Sequence, residues 1–113
     1  MQVLSGAGTF TAPPGADGTH WVEHLSVVDL SVGTYSVPRD GTDDQDPHTE
    51  DEIYVVTAGR ARLTAPGQSV AVGPGSVMYV PAGENHRFTD VTEDLALLVL
   101  FAPAEYTRAA SQG

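Results

Sequence analysis

The sequence predicts an all-β domain, either a closed barrel or a sandwich of two sheets, and three observations predict it. Val-rich runs of four to eight residues, several containing Tyr, recur through the chain; β-branched and aromatic side chains suit a pleated, half-buried surface. The chain's 12 glycines and 8 prolines cut these runs apart at short intervals. No long window carries the 3.6-residue period of an amphipathic helix.

In order, strands are expected near Trp21–Val28, Leu30–Val37, Glu52–Thr57, Arg60–Thr64, Gln68–Val72, Ser76–Val80, His86–Asp90 and Ala96–Phe101. Turn signals separate them at Thr57-Ala58-Gly59, Ala65-Pro66-Gly67, Gly73-Pro74-Gly75 and Pro81-Ala82-Gly83. With 113 residues, no internal repeat and no linker, the chain reads as one domain over 1–113. Residues 1–18 form an N-terminal arm, and Arg108–Gly113 a flexible tail.

Composition excludes several functions. The chain has no cysteine, hence no disulfide, thiolate metal site or cysteine nucleophile. All five basic residues are arginine, so no lysine can form a Schiff base. A formal charge of −10 opposes binding to nucleic acid or to an anionic membrane surface. No apolar run reaches the roughly 18 residues that span a bilayer, and residues 1–15 lack the features of a secretory signal, so a cytoplasmic location is expected. Arginine in place of lysine, with abundant Ala, Gly and Val, suits a GC-rich bacterial genome.

Seven of the 15 acidic residues fall between Asp40 and Glu52. Such a run alone reads as a solvated loop, but His48 lies within it, and a tight turn would let His48 and Glu52 face one space from adjacent strands. A second turn, Pro81 to Asn85, delivers His86 to the start of a strand. Two imidazoles and a carboxylate converging in a barrel can hold a divalent metal with coordination positions left open. His20 and His24 fit no such pattern and read as structural. Tyr35, Tyr54, Met78, Tyr79, Phe88 and Phe101 are candidates for the barrel lining.

These residues resemble the two motifs of the cupin family. In the first, Glu52 follows His48 after three residues and Gly59 follows Glu52 after six. In the second, Gly75, Pro81, Gly83 and His86 stand at every family spacing. The resemblance spans about Asp40 to Asp90 and implies a single double-stranded β-helix, or jelly-roll, barrel. There are three departures: Asp46 replaces the first motif's leading histidine, Gly41 falls one residue late, and Asp90 replaces a closing asparagine.

The resemblance implies one divalent transition metal (Fe, Mn, Ni, Cu or Zn) on His48, Glu52 and His86, with Asp46 as a fourth ligand or solvent-facing and Gln45 as a supporting group. It implies a small-molecule substrate and a homodimer, with the N-terminal arm at its interface. Two functions stay open. One is a metal-dependent enzyme, dioxygenase-like or else an isomerase, decarboxylase or lyase, with Tyr35 or Tyr54 as a catalytic proton or hydrogen-bond donor. The other is a binding or sensing barrel without turnover.

Overall fold

The computed structural model describes residues 1–15 and 18–109. Eight strands form: β1 (His20–Ser26), β2 (Ser31–Val37), β3 (Asp51–Ala58), β4 (Ala61–Ala65), β5 (Gln68–Val72), β6 (Val77–Val80), β7 (Arg87–Thr89) and β8 (Leu95–Ala102). All eight expected strands are present, their ends shifted by about two residues at most. Residues 110–113, most of the expected tail, lie outside the described residues.

The strands make two antiparallel sheets, one ordered β1-β2-β8-β3-β6 and the other β5-β4-β7. Side chains alternate across each strand, so register decides which residues face the interior. Glu52, Tyr54 and Val56 on β3 stand opposite Phe101, Val99 and Leu97 on β8. Leu63 and Phe88 pair across β4 and β7 in the facing sheet. The Tyr54 and Phe88 rings meet edge to face at 4.9 Å, joining the two layers.

Strand β2 is buried along its whole length, though Thr34 and Ser36 point away from the interior. The N-terminal arm covers them: the Gly8 and Thr11 backbone N–H groups donate to Thr34 Oγ1 (2.8 Å) and Ser36 Oγ (3.0 Å). His24 Nε2 also lies 2.7 Å from Thr34 Oγ1, in keeping with a structural histidine. Gly59, at φ +86°, turns β3 into β4; a Cβ there would sit 2.2 Å from the Asp94 carbonyl oxygen.

Candidate functional site

At one end the barrel interior is filled by Val37, Val56, Leu63, Val72, Leu95 and Leu97, all buried. At the other end it opens into a cavity of about 220 Å³ whose walls include Trp21, Tyr35, His48, Glu52, Tyr54, Phe101 and Glu105. Trp21 pairs with Tyr35 and reaches this wall because residue 33, diagonally across on β2, is glycine: a Cβ there would meet the indole at 2.2 Å. The indole then contacts Phe101 edge to face, with centroids 6.1 Å apart.

Glu52 is the focus of the cavity. It is 2% exposed, and neither carboxylate oxygen has a hydrogen-bond partner among the described residues. Oε1 lies 3.0 Å from His86 Nε2, and Oε2 lies 4.0 Å from His48 Nε2. His86 Nδ1 is 2.8 Å from the Glu84 carbonyl oxygen, an acceptor only, so Nδ1 carries a proton. Nε2, which is also 2.8 Å from the Tyr54 hydroxyl, then has two states. It either accepts the Tyr54 proton in a neutral ring or carries its own proton toward Glu52. Burial opposes the charged ring, but the Glu52 carboxylate and the Glu84 carbonyl outweigh it and hold the His86 pKa above the usual value. Burial keeps His48 below the usual value despite Glu52, and burial together with Glu52 pushes Tyr54 well above the phenol range.

The loop before β3 is fixed by Asp43, a buried residue that the motif reading passed over. Its carboxylate accepts from the Tyr35 hydroxyl (2.7 Å), the Gln45 side-chain amide (2.8 Å) and the Phe88 backbone N–H (2.8 Å). With its NH₂ committed to Asp43, Gln45 turns Oε1 toward His48 Nε2 and the Tyr54 hydroxyl, 3.2 Å from each. Gln45 thus links Asp43 to His48 and Tyr54. Asp46, the next residue, is exposed; the structure places Gln45, and not Asp46, beside His48 and Tyr54.

Two further expectations need correction. The Tyr35 ring lines the cavity, but its hydroxyl proton is held by Asp43, and burial with that carboxylate raises its pKa. Tyr35 therefore anchors the loop through Asp43. Tyr79 is 61% exposed, because β6 pairs it with Ile53 on the outer face of β3; it does not line the barrel.

The cavity's far wall follows β8. Glu50, buried, accepts the backbone N–H groups of Tyr106 (2.8 Å) and Arg108 (2.9 Å), which folds the C-terminal segment over the opening. Despite burial, a hydrogen bond from the Thr49 hydroxyl together with these two holds the Glu50 pKa below the usual carboxylate value. The Glu105 side chain, 9% exposed, comes within 3.6 Å of His48 Nδ1. Burial and the nearby Glu23, Glu50 and Glu52 push its pKa up to about 7. Nothing in the local sequence marks Glu50 or Glu105, since both act across about half the chain.

His48, Glu52 and His86 are thus brought together, yet among the described residues no group of three or more His, Asp or Glu side chains is arranged closely enough to hold a metal ion. Around an ion about 2.1 Å from each ligand, neighbouring donors stand roughly 3–3.4 Å apart. The Glu52–His86 pair meets that spacing, and His48 must move closer. Both unsatisfied Glu52 oxygens fit a cation, and two imidazoles with a carboxylate suit a divalent transition metal.

Two facing antiparallel sheets with a polar cavity at one open end define a small double-stranded β-helix barrel. The cupin-domain profile matches residues 27–102, and the chain belongs to the cupin family. It is 42% identical over 94 residues to the uncharacterized protein SCO3923 of Streptomyces coelicolor, covering 83% of this chain and 90% of that one. A Klebsiella pneumoniae protein with a double-stranded β-helix domain superposes with a TM-score of 0.71 at 16% identity, over 80% of this chain and 82% of that one. The DMSP lyase DddQ of Ruegeria pomeroyi superposes with a TM-score of 0.71 at 20% identity, over 90% of this chain and 54% of that one. Likeness at these identities speaks for the fold alone. No helix among the described residues is long and apolar enough to cross a membrane.

Proposed function

We propose that this cupin is a metal-dependent enzyme acting on a small metabolite, with His48, Glu52 and His86 holding the ion. The observation that carries this reading is the Glu52 carboxylate, buried without a hydrogen-bond partner between two histidine Nε2 atoms. A buried carboxylate is costly to leave uncompensated, and a divalent ion would satisfy both oxygens. Such an ion would polarise a substrate oxygen and acidify what lies beside it. Tyr54 is the residue placed to move a proton, its hydroxyl being in reach of His86 and Gln45. Gln45 and Asp43 hold that hydroxyl in place. This weights the reading toward proton-transfer chemistry (isomerisation, decarboxylation or elimination) over the oxygen-dependent cleavage that the same ligand set also suits.

Elemental analysis of protein purified without a metal-affinity tag, before and after reconstitution, tests the assignment. About one equivalent of a transition metal, lost in Glu52→Gln and His86→Ala, is the expected result. Full occupancy in either variant, or no uptake of Fe, Mn, Ni, Cu or Zn by the native chain, rejects it.

A second reading, a metal-free binder or sensor, draws on the Glu52–His86 pair, which compensates its own charge when His86 is protonated. Ligand-dependent stabilisation without turnover would favour it. For assembly we propose a homodimer. The outer row Tyr79–Ile53–Leu100 and its neighbour Val77–Val55–Leu98 give the five-stranded sheet an apolar outer face, with Val77 and Tyr79 exposed. A monomer by sedimentation at micromolar concentration would remove that proposal.

A further inference from the structure

The cavity's lining has an unusual charge balance. It includes three carboxylates, Asp44, Glu52 and Glu105, and no arginine, in a chain that has no lysine. The basic groups near these carboxylates are two histidine rings, His48 at 3.6 Å from Glu105 and His86 at 3.0 Å from Glu52. Between the carboxylates stand aromatic surfaces: Trp21 against Phe101, and Tyr106 at the rim. An anionic ligand entering here meets three carboxylates and neither lysine nor arginine in the lining, an arrangement that disfavours it. A cation sheathed in alkyl groups meets attraction from the carboxylates and from the aromatic faces, which favour positive charge over their rings. Glu52 adds a second sign: it is almost wholly buried and lines the cavity, and neither oxygen makes a hydrogen bond, with the His86 ring in ion-pair reach of Oε1 alone. A resident metal on Glu52 would leave Asp44 and Glu105 in the lining as carboxylates that it does not engage.

We infer that this cavity selects a small organic cation, an alkylated ammonium or a metabolite carrying one, seated between Glu105 and the Trp21–Phe101 wall with Asp44 at the entrance. The inference rests on reading the cavity as a small-molecule site, and it holds whether or not a metal is bound. The chain's net charge of −10 adds long-range attraction for such a ligand.

Choline and its uncharged isostere 3,3-dimethylbutan-1-ol have the same shape and differ in charge, and acetate serves as the anionic control. Titration calorimetry on chelator-treated and on metal-reconstituted protein should find choline bound about tenfold more tightly than the isostere. Added salt should weaken choline binding and leave the isostere unchanged. Glu105→Gln should reduce choline to the level of the isostere. Asp44→Asn, at an exposed position where folding is not at stake, should weaken choline severalfold. Equal binding of choline and the isostere, or tighter binding of acetate to the chelator-treated protein, would overturn the inference. Metal uptake without cation preference would overturn it and leave the proposed function standing; cation preference without metal uptake would do the reverse.

Discussion

Along its inward face β3 carries Glu52, Tyr54 and Val56, and opposite them β8 carries Phe101, Val99 and Leu97. Within one sheet and one register the interior passes from carboxylate to phenol to aliphatic. At the Val56 end the facing sheet closes over the strand and every interior side chain is apolar. At the Glu52 end closure falls to loops, the one before β3 and the segment after β8, pinned by the buried carboxylates Asp43 and Glu50. The difference separates two kinds of stability. The closed end depends on packing, which any apolar side chains of suitable volume can supply. The open end depends on hydrogen bonds between residues far apart in the chain, and there the position of each atom matters.

The largest expected effect lies at the closed end. Leu97→Ala, at a fully buried site, should cost about 2–5 kcal/mol in denaturant unfolding. If it cost under 1 kcal/mol, the packed half would not be the foundation of the fold. Asp43→Ala should cost about 1–3 kcal/mol by stranding the Phe88 N–H and the Gln45 amide. It should also weaken metal uptake by releasing Gln45 from His48 and Tyr54, so uptake at native affinity would show that the loop orders itself without Asp43.

Glu52→Gln should behave in the opposite way, changing the stability of the metal-free protein by no more than about 1 kcal/mol while abolishing uptake. The lost ion pair is offset by removal of an unsatisfied buried charge, and a neutral His86 can accept the Tyr54 proton. A loss as large as that of Leu97→Ala would mean that the site also carries the fold.

A pH series refines the contrast. Glu105 titrates near 7 in the folded chain, above the ordinary carboxylate value of 4.5, so the folded state binds its proton more tightly than the unfolded state does. Its contribution therefore favours folding at low pH and is lost as pH rises from 4.5 to about 7. His86, raised above 6.5, extends that fall to higher pH, while His48, lowered, opposes it below 6.5. In metal-free Glu105→Gln the decline between 4.5 and 7 should flatten; an unchanged slope would move its origin to other groups. The smallest effect belongs to exposed Asp46: Asp46→Asn should shift stability by less than about 0.5 kcal/mol and leave metal uptake intact. Lost uptake would restore Asp46 to the ligand set.

The strands and the pairing of His48 and Glu52 with His86 were legible in the sequence because both follow from local pattern: alternation, turn residues and motif spacing. The direction of a loop side chain was not. Gln45 and Asp46 are neighbours of similar size, and what turns one inward is Asp43 bonding to Phe88 in β7. Glu105 lies beyond both motifs and reaches the cavity through Glu50, whose role depends on where β8 delivers the chain. Trp21 reads as an ordinary strand aromatic until β1 pairs it across from Tyr35, beside Gly33.

The order β1-β2-β8-β3-β6 also bears on how the molecule is made. Strand β8 is the last of the eight in the chain, yet it lies between β2 and β3. Until it inserts, the five-stranded sheet lacks its centre, and neither the Leu97 side of the core nor the Phe101 wall of the cavity exists. Pairings between segments so distant in sequence are slow to form, in the millisecond-to-second range typical of β-barrels. The late pairing that completes the core also delivers Glu105 to His48. Recovery of ligand binding during refolding should therefore track the final cooperative phase rather than precede it, so an occupied cavity also reports a finished fold.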